Sequence, residues 1–150
     1  MAYRKIKSYS FTEAELRLIW KQEYCDVDVF TFDKIHVKFY EDMFDHAFFE
    51  SENRKPGDKS ILSLNRLEKI YWIKDTLQDS SAILKMGWDN NRKTYYKNRR
   101  VAVVKNNYVV VIFLTGLLKA KFITAYEKDD ITNVLASPDF IKDTKYFGDE

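Results

Sequence analysis

Tyr108 to Tyr126 reads YVVVIFLTGLLKAKFITAY. Two runs rich in β-branched and aromatic residues flank a short link that contains Gly116, which is the pattern of a β-hairpin. Tyr108 to Leu114 is apolar on both faces, so this strand is expected in the middle of a sheet. The second run alternates, which puts Phe122, Thr124 and Tyr126 on one face and Lys121, Ile123 and Ala125 on the other. Thr124 and Tyr126 then stand side by side near a strand end, where two hydroxyls can position a phosphate or another hydroxyl. A half-buried edge strand with ordinary polar decoration has the same spacing.

Working outward, period-two patterning predicts strands near Ala82 to Met86, Lys93 to Lys97 and Arg100 to Lys105, the last entering the hairpin through an Asn106-Asn107 turn. Upstream the period changes. Leu64, Leu67, Ile70, Tyr71, Ile73 and Leu77 cover one side of a helix over 60–77, and Tyr40, Met43, Phe44, Ala47 and Phe48 mark another over 40–49. Thr12 and Glu15 have the spacing of a capping box that opens a first helix, followed by short strands within Val27 to Phe32 and Lys34 to Phe39. Helices first and an antiparallel meander last make an α+β chain with helices against one sheet face.

At 150 residues the chain is read as one domain, 1–150, with a hydrophobic content of 45% that suits a packed core. No apolar run reaches the roughly 20 residues that span a bilayer, and MAYRKIKSYS lacks the apolar stretch of a signal peptide. The expectation is a cytoplasmic protein with no membrane partner. The single cysteine, Cys25, is read as a small buried hydrophobe. A net charge of +2 announces no partner, so the placement of charge has to carry the argument. Arg92, Lys93, Lys97, Arg99, Arg100 and Lys105 have no acid among them, and Tyr95 and Tyr96 are interleaved for stacking on bases. That block is either a phosphate-tracking surface or a strand edge protected by charge. Lys55, in the polar loop with Arg54 and Lys59, and Lys121 on the hairpin extend the candidate RNA-binding set.

Two residues on the helices stand out. His46 has Asp42 and Glu50 one turn to either side, spacing that lets a carboxylate orient the imidazole for general acid or base work. Arg66 projects at about 200° on the helical wheel, with Leu64 at zero, inside the apolar arc. An arginine there needs a carboxylate partner or a site to point into. There is no P-loop, GxGxxG, HExxH or GxSxG, and two histidines with one cysteine make a poor transition-metal set. No cofactor is expected.

The segments NRLEKIYWIKDTLQD, residues 65–79, and KAKFITAYEKDD, residues 119–130, resemble the phage-associated nucleases of the barnase, EndoU, colicin and RelE-like (BECR) superfamily. The resemblance spans residues 34–135, leaving 1–33 as an N-terminal extension. It implies N-terminal helices packed on a four- to five-stranded antiparallel sheet. It also implies a metal-independent endoribonuclease, a toxin of a phage, toxin-antitoxin or polymorphic toxin system, that cleaves RNA through 2′-OH attack to a 2′,3′-cyclic phosphate. Carried over by position, its helical histidine is His46, its helical arginine Arg66, and its strand hydroxyls Thr124 and Tyr126. Expected partners are RNA, tRNA included, and a cognate protein inhibitor. The chain departs from the pattern at Asp79-Ser80, where an Asn-Pro turn is often seen, and has no second histidine on the sheet. The alternative is a non-catalytic module that holds nucleic acid or protein on the same fold.

Overall fold

The computed structural model describes residues 3–50, 61–89, 93–95 and 99–148. Helix α1 (Glu13–Trp20) opens on the expected capping box: the Thr12 hydroxyl accepts from the Glu15 N–H at 3.1 Å, and the Glu15 carboxylate accepts from the Thr12 N–H at 2.8 Å. A π-helical turn, Lys21–Cys25, continues it. Strands β1 (Val29–Phe30) and β2 (His36–Lys38) pair antiparallel and lead to α2 (Met43–Phe48). The short pair β3 (Phe49–Glu50) and β4 (Ile61–Leu62) connects α2 to α3 (Leu64–Leu67) and α4 (Trp72–Leu77). Next come β5 (Ile83–Met86), a small ladder of β6 (Trp88–Asp89) with β7 (Thr94–Tyr95), and then β8 (Arg100–Lys105). The expected hairpin follows as β9 (Tyr108–Gly116) and β10 (Lys119–Glu127), before α5 (Thr132–Leu135) and α6 (Thr144–Phe147).

The chain is α+β, but its main sheet differs from the expectation of four or five antiparallel strands. Six strands run in the order β1-β2-β10-β9-β8-β5, and β2 lies parallel to β10 with His36, Val37 and Lys38 opposite Lys119, Ala120 and Lys121. Periodicity gives a strand its faces but not its neighbours, so this pairing had no signature. It brings the N-terminal segment into the sheet. Trp20 and Tyr24 lie in the centre of the main core, with the Trp20 ring in contact with those of Phe39, Phe48 and Phe122. Trp20 and Tyr24, from within residues 1–33, are therefore part of the main core. Removing a buried ring of this kind costs about 3–5 kcal/mol. Among the described residues no helix is long and apolar enough to cross a membrane.

The single helix expected over 60–77 is two helices, and the break has a visible cause. In an unbroken helix the Lys74 N–H would donate to the Ile70 carbonyl. Instead the Tyr24 hydroxyl sits between them, accepting from Lys74 N at 3.1 Å and donating to Ile70 O at 2.5 Å. A side chain inserted into the ladder kinks a helix. Turns of the tighter kind fill the gap, Lys69 N–H to Arg66 O and Trp72 N–H to Lys69 O.

A second departure concerns the hairpin. Phe122 pairs with Ile112 while Thr124 pairs with Val111, so Ile123 is an extra residue and β10 is bulged there. Phe122 and Ala125 face the helices, in the core with Trp20, Phe48 and Ile70. Ile123 and Tyr126 pack on the opposite side with Ala102, Val104, Val109 and Val111 against Ile131 and Val134, which flank and belong to α5. The expectation that Phe122, Thr124 and Tyr126 share a face fails at the bulge. Thr124 and Tyr126 keep a common side, but it is the side opposite the main core, the one that α5 covers.

Candidate functional site

Strand β2 accompanies β10 only from Lys119 to Lys121. Beyond Phe122, among the described residues, no strand pairs with that edge of β10, and helix α3 lies near it instead. The space between them is a cavity of about 200 Å³ lined by Phe48, Asn65, Arg66, Lys69, Tyr108, Ala125, Tyr126 and Glu127. Helix α3 is fixed there from two sides. Ser63 donates its N–H to the Phe48 carbonyl at 2.6 Å, and its hydroxyl caps α3 by accepting from the Arg66 N–H at 3.3 Å.

Arg66 is half-buried, as its place on the wheel required, and Nη1 donates to the Ala47 carbonyl at 3.2 Å. No carboxylate among the described residues pairs with it. The guanidinium counts instead at Tyr108, whose hydroxyl is pushed well above the usual range by burial while Arg66 opposes the shift. Lys69, one turn on, is only 3% exposed yet fully partnered. Its ammonium meets Glu68 at 3.1 Å, Glu127 at 3.3 Å and the Asn65 side-chain oxygen at 3.1 Å, and lies 5.7 Å from the Trp72 ring centroid. Lys69, Asn65, Tyr108 and Glu127 were not singled out from sequence. The NRLEK spacing that places Asn65 and Lys69 one turn apart was the signal available.

The catalytic set expected from the resemblance is not gathered at one point. Arg66 and Tyr126 line the cleft. His46 is exposed on α2, one residue before the carbonyl that holds Arg66, and does not line it. Thr124 lies on the other side of the sheet because of the bulge and lines the cleft there.

That other side carries a second, larger cleft of about 690 Å³, between the open face of the sheet and α5. Arg100, Ala102, Val111, Thr124, Tyr126, Lys128, Asn133 and Ser137 are among its lining, so Tyr126 contributes to both clefts. Burial raises the Tyr126 hydroxyl above its ordinary pKa, and here Arg100 opposes the shift. Arg100 also stands opposite Phe113, which in turn stands opposite Lys121, so two of the expected RNA-binding cations share one cross-strand row. Arg99 is otherwise engaged, its Nε donating to the Leu114 carbonyl at 3.0 Å and its guanidinium over the Phe113 ring at 4.6 Å. Tyr95 pairs with Trp88 in β7. Lys55 and Tyr96 lie outside the described residues.

No family model, curated protein or solved structure matches the chain.

Proposed function

We propose that the chain is a metal-independent endoribonuclease whose reaction takes place in the cleft between α3 and the end of β10. The observation that carries this reading is the meeting of the two nuclease-like segments: Asn65, Arg66 and Lys69 from one and Ala125, Tyr126 and Glu127 from the other line the same cavity. A ribose 2′-oxygen attacks the adjacent phosphorus, the bond from phosphorus to the 5′-oxygen breaks, and a 2′,3′-cyclic phosphate is left. Arg66 supplies the charge that offsets the phosphorane, since a guanidinium matches two phosphate oxygens. Tyr126 donates a hydrogen bond to the phosphate. Glu127, the carboxylate of the cleft, is positioned by Lys69 to take the 2′-OH proton. His46, on the turn that also offers the Ala47 carbonyl, protonates the leaving 5′-oxygen of a strand laid across the cleft mouth. A toxin of this kind carries a cognate inhibitor, and the cationic Arg66 suits an acidic one.

The test is incubation of the purified chain with total RNA in excess EDTA, followed by mapping of the ends. Cleavage to cyclic phosphates is expected, falling about 100-fold in Arg66→Gln while the variant remains folded. Strict dependence on Mg²⁺ overturns the mechanism. The second reading, a non-catalytic nucleic-acid binding module, is favoured by the position of His46 outside the cleft lining. RNA retained but uncut in the same assay decides for it.

A further inference from the structure

Apart from Tyr126, which lines both clefts, the residues of the cleft on the open face of the sheet take no part in this chemistry, and its composition is selective. Among its described lining residues there are two cations, Arg100 and Lys128, and five neutral or aromatic hydrogen-bonding and apolar groups on the sheet and α5 side, Thr124, Tyr126, Asn133, Val134 and Ser137, but no carboxylate. Arg100 lies close against the neighbouring strand. A Cβ at Gly87 would come within 2.4 Å of the Arg100 Cγ, so only glycine leaves room for the stem. The Nε atom of Arg100 is buried and has no hydrogen-bond partner. A buried guanidinium nitrogen without an acceptor leaves the Arg100 charge poorly compensated, and an anion in the cleft beside the guanidinium offsets part of that cost. Ala102 and Val111 are the apolar part of the lining beside it, largely covered by the packing against Ile131 and Val134.

We propose that this cleft is a second ligand site, which binds a nucleoside phosphate with its phosphate on Arg100 and Lys128. The volume of about 690 Å³ falls in the range of about 300–1,000 Å³ usual for small-molecule sites. Thr124, Asn133 and Ser137 offer donors and acceptors at the rim for ribose hydroxyls. The same chemistry is presented by a free nucleotide and by one residue of a single strand. A strand has a route onward, along the row Arg100, Phe113, Lys121 across the sheet.

The experiment uses the full chain carrying Arg66→Gln, so that the other cleft neither cuts nor competes through its arginine. Calorimetric titrations with adenosine 5′-monophosphate, adenosine and a five-residue deoxyadenylate, which lacks the attacking 2′-OH, are compared at low salt. The monophosphate is expected to bind at least about 10-fold more tightly than adenosine, and to lose about 10-fold or more on Arg100→Gln and about 3-fold on Lys128→Gln. If Arg100→Gln does not fold, Lys128→Gln and Asn133→Asp, which places a carboxylate in the cleft, decide in its stead. Weakened phosphate binding in both supports the site, and unchanged binding overturns it. A deoxyadenylate that binds about 10-fold more tightly than the monophosphate identifies a strand as the ligand, and equal binding identifies the free nucleotide. No binding of either, or equal affinity for adenosine and its monophosphate, overturns the proposal.

Discussion

The two clefts lie on opposite sides of the last turns of β10, share Tyr126, and treat charge in opposite ways. In the smaller one, Lys69 is held by Glu68, Glu127 and Asn65 at 3.1–3.3 Å, and Arg66 rests on a carbonyl. Its cations are committed before any ligand arrives. In the larger one, Arg100 keeps a buried nitrogen without an acceptor and no described carboxylate lines the walls. Committed charges fix geometry, which is what a reaction requires, whereas an uncommitted charge stores affinity for whatever anion enters. One strand serves both because a single bulged residue, Ile123, turns its end over relative to its beginning.

This contrast can be broken. The largest effect is expected from Lys69→Ala, which leaves Glu127 without its ammonium and Glu68 with only Lys5 at 3.9 Å, and opens space beside Trp72. A loss of about 3 kcal/mol in urea unfolding is expected, at the low end for breaking a buried pair because both carboxylates are partly exposed and rehydrate. Nucleotide affinity at the sheet-face cleft should be unaffected in the folded protein. If it falls in parallel, the clefts are not independent. Tyr24→Phe comes next. It strips the hydroxyl that bridges Ile70 and Lys74 and leaves a buried carbonyl and N–H unpaired, at about 2 kcal/mol. Amide exchange at Lys74 should accelerate by a factor of about 10 or more. Unaltered exchange would mean that the helix simply closes and that the tyrosine is not what divides it.

The smallest effect lies outside both clefts and serves as their control. Hydrogen bonds from the Ser81 hydroxyl and N–H, then from the Tyr3 hydroxyl, hold Asp79 at about 2, below the ordinary 3.8. Its folded-state value is the lower one, so its stabilisation is present above about pH 4 and is lost as the pH falls towards 2. Thermal midpoints measured between pH 5 and 2 should decline in the wild type by more than in Asp79→Asn. Equal declines would assign the acid sensitivity elsewhere.

The hairpin was legible because Tyr108 to Leu114 is continuously apolar, and β9 lies between β8 and β10 as that pattern demands. The capping box at Thr12 and Glu15 was equally local. What escaped was set at a distance. On an unbroken helix Lys69 falls at about 140°, outside the apolar arc, and nothing local shows that Tyr24 will break the helix and leave that lysine buried. The bulge at Ile123 also has no mark, since neither glycine nor proline accompanies it, and alternation read straight through it sends Thr124 to the wrong side. Arg66 was legible as an arginine in need of a site, while the carbonyl that receives it, from Ala47, became visible only once α2 had docked.

The parallel pairing of β2 with β10 also bears on how the chain is born. During synthesis residues 36–38 leave the ribosome long before residues 119–121, so β2 must wait for about four-fifths of the chain before its inner neighbour exists. Such long-range closure slows folding. Until then the Trp20 and Phe39 rings have no Phe122 to pack on, and an incomplete chain exposes a sticky aromatic cluster beside an unpaired strand edge. A nascent chain stalled before residue 119 is the form most prone to aggregate or to recruit a chaperone, and release of the hairpin closes that window in a single step.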